Sequence, residues 1–275
     1  MSFSLKYGGK GNLWIGQFSV FPEDLFIHGV STRHGGFSKG DFDSLNLGMH
    51  VNDGVLEVWE NRSAFCEALE VEPSDLVTCE QVHGDNVVKV TREDAGKGAC
   101  NYETAIKETD ALITNERNLP LMLFFADCTP IMIADPVKKV IGVAHGGWKG
   151  TVSYIAIKTV GAMIREYGCK PEDMVASVGP AIGPCCYEVG DEVAEQFRKS
   201  FPEMEKEILA PSPEHKGKFQ LNLWRCNELQ LQSVGLKKEN IDSAEVCTAC
   251  NNKQFFSYRA DKGKTGRIGA LLCLR

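Results

Sequence analysis

Two segments, Leu121-Met-Leu-Phe-Phe-Ala-Asp-Cys-Thr-Pro130 and Val143-Ala-His-Gly-Gly-Trp-Lys-Gly150, decide how this chain folds. The first is a short apolar run without helical periodicity that ends in Asp, Cys and Pro, which reads as a buried strand followed by a turn. That places the Cys128 thiol at a strand end, where an α/β sheet usually presents its site. His145 stands seventeen residues later, at the end of the next strand-like run, Val140–Ala144. If the two strands are neighbours, thiol and imidazole meet over one end of the sheet.

Similar β-branched or aromatic runs bounded by Gly, Pro, Asn or Asp occur at Leu25–Val30, Leu76–Thr78, Asn86–Val90, Ala111–Thr114, Val175–Val178 and Ile241–Val246. Helical spacing is seen in Val55–Glu70, through Val55, Val58, Trp59, Phe65 and Leu69. Thr151–Tyr167 reads as a helix capped by Thr151 and ended by Gly168. Val189–Phe201 and Leu223–Val234 are further helices. Strands interleaved with helices predict an α/β fold, a mixed sheet flanked by helices. No linker rich in Gly, Ser or Pro divides residues 1–275, so a single domain is expected.

The formal charge of −7 gives no attractive field for nucleic acid, and isolated basic pairs such as Lys138–Lys139 read as solvated faces. The most apolar stretch, Leu119–Ala134, contains Asp127 and two prolines, so no membrane span is expected. The N-terminus lacks a secretory pattern and the cysteine count of 11 is odd, which points to reduced thiols in the cytoplasm. Nothing in the sequence sets the oligomeric state.

Six histidines are few enough for their neighbours to be informative. His34 and His145 precede Gly-Gly, and His83 precedes Gly-Asp; such a turn exposes an imidazole over a cleft, or merely satisfies it locally. A facing Cys and His supports either a thiolate nucleophile, as in cysteine hydrolases and amidases, or metal ligation. His83 as a third ligand favours metal. Three protein ligands and one open position are the arrangement of catalytic zinc, which lowers the pKa of water to about 7.

Gln81-Val-His-Gly84, Thr109-Asp-Ala-Leu-Ile-Thr114, Ala126-Asp-Cys-Thr-Pro130, Val143–Gly150, Val178-Gly-Pro-Ala-Ile-Gly183 and Phe256-Ser-Tyr-Arg-Ala260 together resemble the YfiH/YlmD laccase-domain family. The likeness runs from about Phe26 to the end. Ala260 departs from it, since relatives often carry a second arginine there. The resemblance implies a single-domain α/β enzyme with zinc on His83, Cys128 and His145. It further implies phosphorolysis of adenosine, inosine and methylthioadenosine to base and ribose 1-phosphate, with adenosine deamination beside it. The older family label is copper-dependent polyphenol oxidation. Six scattered histidines without a His-x-His pair are too few for a multicopper centre, so copper ranks below zinc.

Phosphorolysis requires cationic donors. Arg62 resembles the family's phosphate-side arginine, and a guanidinium fork suits that anion, although it also reads as a helix-surface residue. Lys149 and the backbone of Gly146–Thr151 offer further anion contacts. Asp127 and Glu80 are candidate proton shuttles for deamination, or carboxylates that orient a ligand. Trp148 and Phe37 could stack on a purine or lie in the core. The Cys247-Thr-Ala-Cys250 pair has no partner pair at zinc-ribbon spacing, and Cys185–Cys186 are vicinal in a turn, so neither pair is assigned a role. His28 and His50 read as packing or turn residues, and His215 as exposed.

Overall fold

In the computed structural model, which describes residues 3–8 and 13–275, the chain opens with an antiparallel run: β1 (Phe3–Gly8), β2 (Leu13–Phe18) and β3 (Phe26–Ser31). Helix α1 (Val55–Ala68) follows, then β4 (Val87–Lys89), β5 (Ala111–Thr114), β6 (Leu121–Phe125), β7 (Thr129–Asp135) and β8 (Val140–Gly146). Past β8 come α2 (Trp148–Val152), α3 (Ile155–Tyr167), β9 (Val175–Val178) and β10 (Glu188–Gly190). Next are α4 (Asp191–Ser200), α5 (Glu205–Ile208), β11 (Leu209–Pro211) and β12 (Lys218–Leu221). The chain finishes with α6 (Leu223–Ser233), β13 (Ile241–Ser243) and β14 (Ile268–Leu274).

The strands form a mixed six-stranded sheet, order β13-β9-β7-β8-β5-β4, and an antiparallel five-stranded sheet, order β1-β2-β3-β14-β6. A small sheet, β10-β12-β11, lies apart from both orders. Period-two alternation explains how the two large sheets stack. In β7, Ile131 and Ile133 join the core shared with Ile155, Val160 and Met163 of α3 and Leu231 of α6. Their neighbours Met132 and Ala134 face the other way, toward Leu121, Leu123 and Phe125 of β6 and Leu272 of β14. Met122 and Phe124 of β6 then meet Phe65 and Cys66 of α1 on the far side. The layers therefore run α1, five-stranded sheet, six-stranded sheet, α3 with α6. Each wholly buried Phe or Leu in them contributes about 1.5–3 kcal/mol.

The expected mixed sheet is present, but helices cover only one of its faces; the second sheet covers the other. Two local expectations change. The apolar run does not stop at Pro130: residues 129–135 form β7, with Pro130 paired to His145 across the ladder. The helix expected over Thr151–Tyr167 is two helices. α2 begins at Trp148 with Gly147 as its cap, and Tyr154 interrupts the helical path in a left-handed conformation (φ 65°) before α3 begins. Gly168, left-handed at φ 66°, ends α3 as expected.

Candidate active site

Antiparallel pairing of β7 with β8 puts Thr129 opposite Gly146, so Cys128, just before β7, faces the end of β8 that carries His145. Cys128 lies in the link through which the chain leaves the five-stranded sheet at β6 and enters the six-stranded sheet at β7. His83 comes from the loop between Cys79 and β4, held at φ 60°. One ligand atom each from His83, Cys128 and His145 lie within 4.8 Å of one another. The two imidazole rings meet edge to face, with centroids 4.8 Å apart.

Gly147 keeps room for a group among them. A Cβ there would stand 3.1 Å from His83 Cδ2, 3.2 Å from Cys128 Sγ and 3.7 Å from His145 Cε1. One thiolate and two imidazoles open to a cavity fit a borderline-soft divalent cation with a free coordination position.

Asp110, fully buried, organises this centre. Its Oδ1 accepts from the His83 backbone N–H (3.0 Å) and lies 2.8 Å from His145 Nδ1. Its Oδ2 accepts from the N–H groups of Val82 (3.2 Å) and Gly84 (2.7 Å). One carboxylate thus fixes the His83 loop and leaves His145 Nε2 as the ring atom free for the centre, a second-layer role common to metal-binding histidines. Burial works against its charge, but the His145 bond and the backbone donors outweigh that and hold the carboxyl below its ordinary range. Burial likewise pushes the Cys128 thiol up, yet the facing histidines bring it down to about 6. For His145 burial is offset by Cys128 and Asp110, which raise it to about 9.

The triad lies at a cavity of about 520 Å³. Phe124, Trp148, Tyr187 and Tyr258 give it aromatic walls, and His50, Arg259 and Arg267 give it cationic or polar ones. Sequence reasoning singled out Trp148 as a stacking residue, set His50 aside, and overlooked Asp110, Arg259 and Arg267 as functional. Asp110 and Arg259 stand inside quoted motifs, Thr109–Thr114 and Phe256–Ala260, which was the available signal. Arg267 had none.

Other expected contacts lie elsewhere. Arg62 is not a surface residue and does not line the cavity: it is 1% exposed, and its Nε and NH1 donate to the carbonyls of Leu47, Gly98 and Ala99. Its guanidinium packs 4.3 Å from the centroid of the Phe124 ring, one layer behind the wall. The cause is α1, which turns this side of its surface onto the five-stranded sheet. Lys149 is exposed and lies over Trp148 (5.7 Å), outside the lining. Asp127 does line the cavity, but both its oxygens are occupied: Oδ1 accepts from Thr248 Oγ1 (2.7 Å) and Oδ2 from the Arg259 N–H (2.6 Å). Glu80 and Phe37 are absent from the lining. His28 is buried, and His215 is exposed against Glu188 (2.8 Å).

Among the described residues no helix is long and apolar enough to cross a membrane. Residues 27–275 match the family model described as multi-copper polyphenol oxidoreductase laccase. The chain is 41% identical over 247 residues to the purine nucleoside phosphorylase YlmD of Geobacillus stearothermophilus, covering 90% of this chain and 89% of that one. It is 35% identical over 244 residues to the purine nucleoside phosphorylase YfiH of Escherichia coli, covering 89% and 92%. The crystal structure of YlmD from Geobacillus stearothermophilus superposes with a TM-score of 0.91 at 38% identity, over 100% of this chain and 99% of that one. A Bacillus licheniformis YfiH structure gives 0.88 at 40% identity, over 91% and 93%. The sequence motifs, the four-layer architecture and the His–Cys–His centre thus meet in one assignment: the chain belongs to the laccase-domain family that includes YlmD and YfiH.

Proposed function

We propose that this protein is a zinc-dependent purine nucleoside phosphorylase, cleaving adenosine, inosine and methylthioadenosine to the free base and ribose 1-phosphate, with adenosine deamination as a second activity. One observation carries the reading: His83, Cys128 and His145 converge on a cavity that also holds two arginines and four aromatic rings. Zinc held there supplies Lewis acidity and activated water, the chemistry that deamination needs.

The protein's own groups divide the remaining work. Rings such as Trp148 and Tyr258 offer faces to the purine. Arg267 and Arg259 take the phosphate role earlier given to Arg62 and Lys149, because their side chains border the cavity. Phosphate oxygen attacks C1′ as the bond to N9 breaks, the bonding pair leaving with the base, and guanidinium charge near the sugar holds the nucleophile in line. Arg62 contributes positive charge from behind Phe124. Asp127 acts through Arg259, whose backbone it anchors.

A second reading has an observation of its own. His145 lies between Cys128 and Asp110, and the thiol is held low, as in a Cys–His–Asp hydrolase. Iodoacetamide labelling separates the two readings: a nucleophile reacts at once, a ligand only after chelation. The main test is product analysis with adenosine and inosine, with and without phosphate, on wild type and Cys128→Ala. Phosphate-dependent release of adenine and hypoxanthine, lost in the variant, is the expected result. No base under any condition would sink the phosphorylase reading.

A further inference from the structure

Away from the candidate active site, the fold brings together the two cysteine pairs that sequence spacing had left unassigned. Cys185 and Cys186 lie in the turn between β9 and β10, and Cys247 and Cys250 in the segment between β13 and β14. Their four sulfurs lie within 4.8 Å of one another. Cys250 Sγ is 3.6 Å from Cys185 Sγ and 3.4 Å from Cys186 Sγ. We propose that Cys185, Cys186, Cys247 and Cys250 form a tetrathiolate site for a zinc ion, separate from the His–Cys–His centre.

The spacing suits one ion. A tetrahedral zinc with bonds of about 2.3 Å sets its sulfurs about 3.8 Å apart, slightly wider than the two Cys250 contacts and inside the 4.8 Å that spans all four sulfurs. An iron–sulfur cluster, with inorganic sulfide and several irons between the thiolates, needs a wider cage. The backbone is also prepared for a thiolate. Cys247 Sγ accepts from the N–H groups of Gly183 (3.2 Å) and Cys250 (3.5 Å), which favours the charged form of that sulfur. Cys247 is buried whereas Cys185 and Cys250 are exposed, so an ion has an entrance from solvent. Four thiols packed this closely cannot all ionise without a cation among them.

The site would staple two segments that border the candidate cavity. Thr248, next to Cys247, donates to Asp127 Oδ1 (2.7 Å), and Arg259 NH1 donates to the Cys186 carbonyl (3.1 Å). Ile182 and Tyr187, on either side of Gly183–Cys186, line the cavity. The ion would hold the Arg259 wall without touching substrate.

Metal analysis of the purified full chain tests this. Wild type is expected to carry one zinc per chain more than Cys247→Ser/Cys250→Ser, while Cys128→Ser keeps the tetrathiolate ion. Should the double variant fail to fold, protein produced in cobalt-supplemented medium supplies an independent reading. The intense thiolate-to-cobalt charge-transfer bands of a four-sulfur site are expected in wild type and should persist in Cys128→Ser. Three results would overturn the proposal: equal zinc in wild type and the double variant, charge-transfer bands that vanish with Cys128, or an intact mass showing these cysteines paired as disulfides. Each reads the metal at the sulfurs, whatever the product assay finds.

Discussion

Two side chains beside the His–Cys–His centre make its construction testable. Asp110 gathers three backbone donors and the Nδ1 of His145 onto one carboxylate. Asp110→Asn removes the charge and turns an NH₂ group toward N–H groups that need an acceptor. We expect a 10–100-fold loss of metal affinity or activity, the usual cost of removing such a partner, read as bound metal per chain and as kcat. Unchanged values would show that the imidazole needs no such anchor. Gly147 makes a different case. Its φ of −67° suits alanine, so Gly147→Ala should leave the Tm of the metal-free protein nearly unchanged. The new methyl would press on His83 and Cys128, and metal content should fall. At this scale the sequence singled out His83, Cys128 and His145, which the fold brings within 4.8 Å of one another, because Cys and His beside glycine at strand ends are uncommon and chemically specific. It did not reveal Arg267, a lone arginine in a loop, nor that Arg62 points inward, since helical spacing does not say which neighbour a helix packs against.

Among the elements, β3 contains a histidine with a purely structural part. The Phe18 N–H donates to His28 Nε2 (2.8 Å), so the ring must be unprotonated there. Burial is the main cause that lowers its pKa to about 4, from about 6.5 in an unfolded chain. The unfolded state then binds the proton more readily, so this contribution is complete above pH 6.5 and is lost as pH falls from 6.5 to 4. Its full size is roughly 3 kcal/mol. Urea titrations between pH 7 and pH 4 should show a steeper loss of stability for wild type than for His28→Gln, whose amide oxygen accepts the same bond without titrating. Equal slopes would mean that other groups set the acid sensitivity. Strands β3, β4, β5, β6, β8, β9 and β13 and the helices at α1, α4 and α6 were legible within a few residues from apolar patterning. Strands β1, β2, β7, β14 and the small sheet were not, and the run at Leu76–Thr78 makes only an isolated bridge from Val77 to Leu121. The α2–α3 break was not, because Tyr154 adopts a left-handed conformation that few non-glycine residues accept, and only tertiary packing holds it there.

For the whole molecule, the stacking of two sheets was the least legible feature, because a continuous apolar run shows that both faces of a strand are buried but not which layer covers each. Strand β14 ties the layers together. It pairs with β3 on one side and β6 on the other, and all seven of its residues are buried. Deleting residues 268–275 should therefore abolish cooperative unfolding by circular dichroism rather than lower Tm by a few degrees; a folded, merely weakened protein would contradict this placement. The same position has a consequence for biosynthesis. A ribosome adds residues in order, and the gap between β3 and β6 stays open until residue 274 has cleared the exit tunnel. Until then the nascent chain exposes the unpaired edges of β3 and β6, each open to pairing with another chain, and the five-stranded sheet is complete only once β14 has emerged.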